Sequence, residues 1–185
     1  MSNRLIALSM LALFTLVACS TGEDAEPAAD SVVAGPDSSS VEAFATMDAP
    51  TAMMVTLTGG PNAGTYTAAS GSQTCSVGAN GEDVWSSQFV DDTATSGLGS
   101  MQVMIPGEER ARQGTGTFYF AMVLGNFMQG TDYVIETRPQ TQNAGSGTAR
   151  VVDTGESATI TVEGVTRDSV QVRAEIRCRD VRRGR

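Results

Sequence analysis

The chain has 185 residues and a formal net charge of −9, enough for one modest core once its low-complexity parts are set aside. It contains no histidine, which removes Ser-His-Asp and Cys-His catalysis and histidine-based zinc or copper sites. Lysine is also absent, so every fixed cation is arginine; from Thr51 on acidic and basic residues nearly balance, so the domain has no global charge for a polyanion and nucleic acid is not expected as a partner.

The first element is a secretory signal over residues 1–18. Arg4 is followed by an uncharged run from Leu5 to Val17. A short basic start, an apolar stretch and then small residues is the layout of an export signal. The run is too short for a spanning helix, which needs about 20 apolar residues. It closes on Leu16-Val17-Ala18-Cys19, which resembles the lipobox of bacterial lipoprotein signal peptides. The resemblance implies cleavage before Cys19 and a lipid on its thiol. The competing reading is an ordinary signal peptide cut after Ala18.

Residues 19–50 follow as a tether. Its charged residues are Glu23, Asp24, Glu26, Asp30, Asp37, Glu42 and Asp48, all acidic, among Ser, Ala and Pro. With Phe44 as its only aromatic, such a segment buries too little apolar surface to offset chain entropy, which predicts disorder. Like charges extend it and hold the domain off an anionic membrane.

Residues 51–185 read as one β domain. Met53-Met54-Val55-Thr56-Leu57-Thr58 alternates as a strand and ends in the turn Gly59-Gly60-Pro61-Asn62. Thr65–Ala68 and Thr74–Val77 are short extended segments, and Asn80-Gly81 is a hairpin signal. Val84–Val90 places Trp85, Ser87 and Phe89 on one face, and Met101, Val103 and Ile105 alternate before Pro106. Gly107–Gly114 reads as a polar loop or one helical turn. In Thr117–Leu124 both faces are apolar, which predicts a central strand covered on both sides. Tyr133–Thr137 is a short strand, and Gln140–Gly147 a polar loop. Thr148–Asp153 pairs with Ala158–Glu163 across Thr154-Gly155-Glu156-Ser157. Ser169–Arg179 has the cleanest alternation, with Val170, Val172, Ala174, Ile176 and Cys178 inward. Short strands with frequent Gly turns and no long helical period predict an all-β fold, an antiparallel sandwich or flattened barrel.

If lipid consumes Cys19, Cys75 and Cys178 remain as a pair in an oxidising compartment. A disulfide between them is expected to be structural; the alternative is two buried free thiols. The order of lipobox, acidic tether and Thr/Gly-rich β domain with one early and one late cysteine resembles the mycobacterial 19 kDa lipoprotein antigen family. The closing segments Ile160–Gly164 and Val172–Cys178 look like that family's last hairpin. The resemblance implies a surface-exposed, membrane-anchored, non-catalytic protein and carries no catalytic residues.

The remaining constellations each have a bland reading. Asp91-Asp92 and Glu108-Glu109 are adjacent doublets, which point to opposite faces of a strand, not across a cleft. They lack EF-hand spacing for calcium and read as solvated carboxylates. Trp85, Tyr66, Tyr119 and Tyr133 are candidates for a sugar-stacking platform, against the commoner fate of strand aromatics as core. Met53, Met54, Met101, Met104, Met122 and Met128 have no histidine or spare cysteine beside them and read as filler, not as a copper site. Arg177, Arg179, Arg182, Arg183 and Arg185 make a basic C-terminus, a docking patch for anionic head groups or acidic polysaccharide or else a solvated tail. No Gly-rich loop continues as G-K-[ST], so no phosphate-binding cofactor is expected, nor any metal. The expected function is a lipid-anchored envelope protein with a non-catalytic interaction or structural domain, contacting envelope polysaccharide or protein. The alternatives are a carbohydrate- or small-ligand-binding module and a carboxylate-based hydrolase.

Overall fold

The structure, a computed structural model, describes residues 51–69, 73–79, 82–94, 97–126, 128–138 and 145–184. The signal segment, Cys19, the acidic tether, Asn80-Gly81 and Arg185 lie outside the described residues. Eleven strands and one short helix are described: β1 (Thr51–Thr58), β2 (Gly64–Ala69), β3 (Thr74–Val77), β4 (Val84–Val90), β5 (Leu98–Pro106), α1 (Glu108–Gln113), β6 (Tyr119–Leu124), β7 (Thr131–Glu136), β8 (Ser146–Asp153), β9 (Ala158–Val165), β10 (Gln171–Cys178) and β11 (Val181–Arg183). They form a five-stranded sheet, β2-β1-β10-β9-β8, and a six-stranded sheet, β11-β3-β4-β5-β6-β7. All pairings are antiparallel except β11 with β3. The fold is an all-β sandwich, and neither sheet closes on itself.

The alternation seen in the sequence sets the core. Met53, Val55 and Leu57 on β1, Val172, Ala174 and Ile176 on β10, and Ile160 and Val162 on β9 face Trp85, Phe89, Met101, Val103, Ile105, Phe120 and Met122 of the other sheet. Phe118 and Ile135 are also fully buried.

The two sheets cross at a steep angle. β8 starts beside β7, where Gly145 N–H donates to the Glu136 carbonyl at 3.3 Å. It ends beside β11, where Asp153 holds Arg183 at 2.6 Å. β7 and β11 are opposite edges of the six-stranded sheet, so β8 traverses that sheet's full width. The lengths agree: five strand spacings of about 4.8 Å make roughly 24 Å, and eight residues at about 3.3 Å make roughly 26 Å. This is orthogonal packing, in which corners carry chain from one sheet to the other.

The cysteines close one such corner. Cys75 on β3 and Cys178 on β10 are bonded, with Cα atoms 5.8 Å apart, and both are buried. Beyond Cys178 the chain passes from one sheet to the other. Val181, Arg182 and Arg183 pair with Cys75, Ser76 and Val77. The basic C-terminus is therefore not a solvated tail as far as Gly184: β11 is a strand, a departure from the sequence expectation. Its three residues are too short and too polar to show alternation, and only the partner β3 makes them a strand.

Two further departures concern β6 and α1. The inner face of β6 is buried as expected, but Tyr119, Ala121 and Val123 on its outer face are half-buried, with no layer over them among the described residues. Residues 108–113 form a helix that fits the loop-or-turn expectation in place but exceeds it in length. Its start is fixed by Asp83 Oδ1, which accepts the Glu108 N–H at 2.6 Å, and its end by Gly114 in the left-handed conformation at φ 72°.

The β9–β10 turn contains the one non-glycine residue with positive φ among the described residues, Ser169 at 65°. Thr166 accepts Ser169 N–H on its carbonyl and Val170 N–H on Oγ1. A side chain in this region costs about 1–2 kcal/mol, while glycine enters it freely but loses more chain entropy on folding. Ser169→Gly is therefore expected to raise stability by about 0.5–1 kcal/mol, read as a higher urea midpoint at unchanged slope; a lower midpoint would show that the serine side chain holds the turn.

Candidate functional site

The orthogonal crossing brings the β1–β2 and β9–β10 turns together with the start of β7. β1 and β10 run in opposite directions, so the end of β1 and the start of β10 lie at the same pole. There Pro61, Thr166, Arg167, Asp168 and Val170 meet Thr131, Asp132, Tyr133 and Val134 around a cleft of about 430 Å³. That volume falls within the range of small-ligand sites. Asn62 ties the turn to the opposite sheet: its Nδ2 donates to Tyr133 Oη at 2.9 Å, and its carbonyl accepts from Tyr66 Oη at 2.8 Å. Two of the four candidate aromatics are thus joined through one asparagine, although far apart in sequence.

The other two are placed apart. Trp85 is fully buried between the sheets and belongs to the core, so no exposed platform includes it. Its position opposite Val77 and Ile105 on the inner face gives the reason. Its Nε1–H has no hydrogen-bond partner among the described residues, and the Arg183 guanidinium lies 5.9 Å from the ring centroid. Tyr119 faces outward from the six-stranded sheet. It borders a shallow groove of about 310 Å³ whose lining includes Gln88, Val90, Gln102, Ala121, Val123, Asp132 and Val134.

The carboxylate doublets stay local. Asp91 Oδ1 accepts from Thr93 N–H at 3.0 Å and Thr93 Oγ1–H at 2.6 Å, which hold its carboxyl below the usual range. Glu108 pairs with Arg112 at 2.6 Å and Glu109 accepts from Gln113 at 2.7 Å, both one helical turn away. Among the described residues no group of three acidic or cysteine ligands converges on a metal-sized site. The exposed methionines Met104 and Met128 sit on different elements, and Met53, Met101 and Met122 fill the core.

Sequence reasoning missed the two aspartates that do share a cleft, Asp132 and Asp168. Neither stands out in the sequence, because the fold joins the start of β7 to the β9–β10 turn. Both are exposed. Burial does lift the Glu175 carboxyl above its ordinary value, partly offset by Arg177, but Glu175 lies on the outer face of β10 and lines neither depression.

The basic residues are likewise engaged. Arg183 donates to both carboxylate oxygens of Asp153 at 2.6 and 3.2 Å and to the Gly155 carbonyl at 2.7 Å. Arg112 reaches the same carboxylate at 3.1 Å. Arg177 pairs with Glu175 at 3.4 Å, and Arg179 and Arg182 are exposed.

Fold and cleft together define a disulfide-bridged all-β sandwich with a polar cleft at the pole opposite the start of β1. No protein-family model, curated protein or solved structure matches the chain.

Proposed function

We propose that the protein is a lipid-anchored envelope lipoprotein whose β domain binds a ligand without transforming it. The anchor is the lipobox-like Leu16-Val17-Ala18-Cys19, with lipid on Cys19. The single observation that carries the binding reading is the placement of the cleft. The chain arrives from Cys19 at Thr51, and the cleft lies past Thr58, at the other end of β1. A strand of eight residues puts about 26 Å between the two. Attachment at Thr51 therefore lies at the far end of β1 from the cleft, so the anchor and a ligand in the cleft do not compete for the same end of the domain. The exposed Asp132 and Asp168 suit polar recognition better than acid–base work. The family resemblance points the same way.

Cys19→Ser is the test. Wild-type protein is expected in the membrane fraction, with diacylglyceryl mass on its N-terminal cysteine. The variant is expected as unprocessed precursor or soluble protein. Unchanged membrane retention of the variant, together with an unmodified wild-type N-terminus, would end the anchored reading.

A further inference from the structure

The cleft and the Tyr119 groove share two residues, Asp132 and Val134 at the start of β7. The groove crosses the outer face of β4, β5, β6 and β7 perpendicular to the strands. The register shows it: Gln88 faces Gln102, Gln102 faces Ala121 and Ala121 faces Val134, one row across four strands. Beside that row lie Tyr119 on one side and Val123 with Asp132 on the other. At Asp132 the surface turns over the β7 edge into the cleft with Arg167 and Asp168.

We propose that groove and cleft are one elongated site for a linear, uncharged glycan of several units, lying across the β7 edge. The claim rests on the reading of this domain as a binding module and names its ligand class. Three features of the lining select that class. Ala121 makes the floor low and apolar between the rings and methyls of Tyr119, Val123 and Val134, a surface for the C–H faces of sugar rings. Gln88 and Gln102 put two amides at the β4–β5 end of that floor. Among the described residues Gln102 Nε2 has only the Met104 sulfur at 3.7 Å, so its amide retains hydrogen-bonding capacity. An apolar helix or acyl chain would bury those amides unpaired, at a cost of about 1–3 kcal/mol each. Hydroxyl groups, as donors and acceptors both, match them. Charge narrows the choice further: Asp132 is the groove's one charged lining residue, and the cleft adds Asp168 and Arg167, so the joined site keeps a net negative charge that disfavours a polyanion. An extended peptide strand is disfavoured because the groove runs across the strands and offers no backbone edge along its length.

The test uses the full chain carrying Cys19→Ser, titrated calorimetrically with neutral hexasaccharides of α-glucan, β-glucan and α-mannan, the matching monosaccharides, hyaluronan, and an uncharged extended peptide. At least one hexasaccharide is expected to bind tenfold or more tighter than its monosaccharide. Tyr119→Ala and Gln102→Ala are each expected to weaken that binding about tenfold. Fluorescence of Trp85, the only tryptophan, checks that each variant stays folded. Equal affinity for monosaccharide and hexasaccharide, with no loss in the two variants, would overturn the groove. Binding of hyaluronan or the peptide alone, or of none of the probes, would overturn the ligand class. Mass analysis of the recovered hexasaccharide separates the underlying reading: shortened chains would refute a non-catalytic domain while leaving the groove in place.

Discussion

Reduction of the Cys75–Cys178 bridge should lower the stability of the domain by about 2–5 kcal/mol. The two cysteines are 103 residues apart, so the bridge closes nearly the whole domain into one loop. Chain-entropy models credit a loop of that size with about 4.7 kcal/mol, and measured values often fall short of it. The native contribution acts through the corner it closes. Cys75 sits on a four-residue strand, and the last residue of β10 is Cys178. Without the bridge, β3 and β11 are held to the first sheet mainly by the Asp153–Arg183 contact and apolar packing. Urea unfolding followed by Trp85 fluorescence, with and without reductant, measures the effect; Cys178→Ala is expected to behave like the reduced protein. Two alkylatable thiols in the unreduced, denatured chain, or a loss below about 1 kcal/mol, would refute a stabilising bridge.

The ease with which this bridge could be anticipated shows what the sequence carries and what it does not. Cys178 falls on the inward phase of β10, whose alternation is unbroken from Val172 to Cys178, and Cys75 shares its phase with Val77. Period-two burial depends on local pattern alone, so most strands could be located within a few residues. Trp85 could be placed as core on the same ground. β11 could not, because a three-residue strand paired in parallel depends on its partner, β3, supplied from far away. The apolar outer face of β6 misled in the other direction. Tyr119, Ala121 and Val123 read as a second buried face, yet they floor a groove. Alternation records which residues avoid water; it does not say whether a layer of the same chain or a ligand covers them. The cleft was invisible for a third reason. Pro61, Tyr133 and Asp168 meet only because the sheets cross orthogonally, and a crossing angle leaves no mark on any single strand.

The second large effect is expected at Asp153. Its carboxylate is almost fully enclosed, with 5% of the side chain exposed. It accepts from Arg183 at 2.6 Å, from Gly155 N–H at 2.9 Å and from Arg112 at 3.1 Å. Hydrogen bonding by Arg183 dominates in holding its carboxyl below the ordinary value of 3.8, with the Gly155 N–H and the charges of Arg183 and Arg112 adding to it against the cost of burial. Hydrogen bonds to a charged group contribute about 1.5–3 kcal/mol. Arg183 and Arg112 are 37% and 45% exposed, so solvent screening reduces the expected cost of Asp153→Asn to about 1–2 kcal/mol. The pH dependence has a fixed sign. A carboxyl whose folded pKa is depressed stabilises the fold above its unfolded value, and that contribution fades as pH falls through the lower folded value. Wild type and Asp153→Asn should therefore differ at pH 7 and converge progressively below about pH 4. Loss of the carboxylate also weakens the hold on Arg183, the last residue of β11, which keeps its bonds to the Gly155 carbonyl, so hydrogen exchange of the β11 amides should speed up in the variant while β9 and β10 stay protected. Equal stability of the two proteins at neutral pH would show the ion pair to be an ornament of the surface. A difference that persists undiminished at pH 2 would show that the asparagine perturbs packing and that the charge of Asp153 does not hold the C-terminal strand.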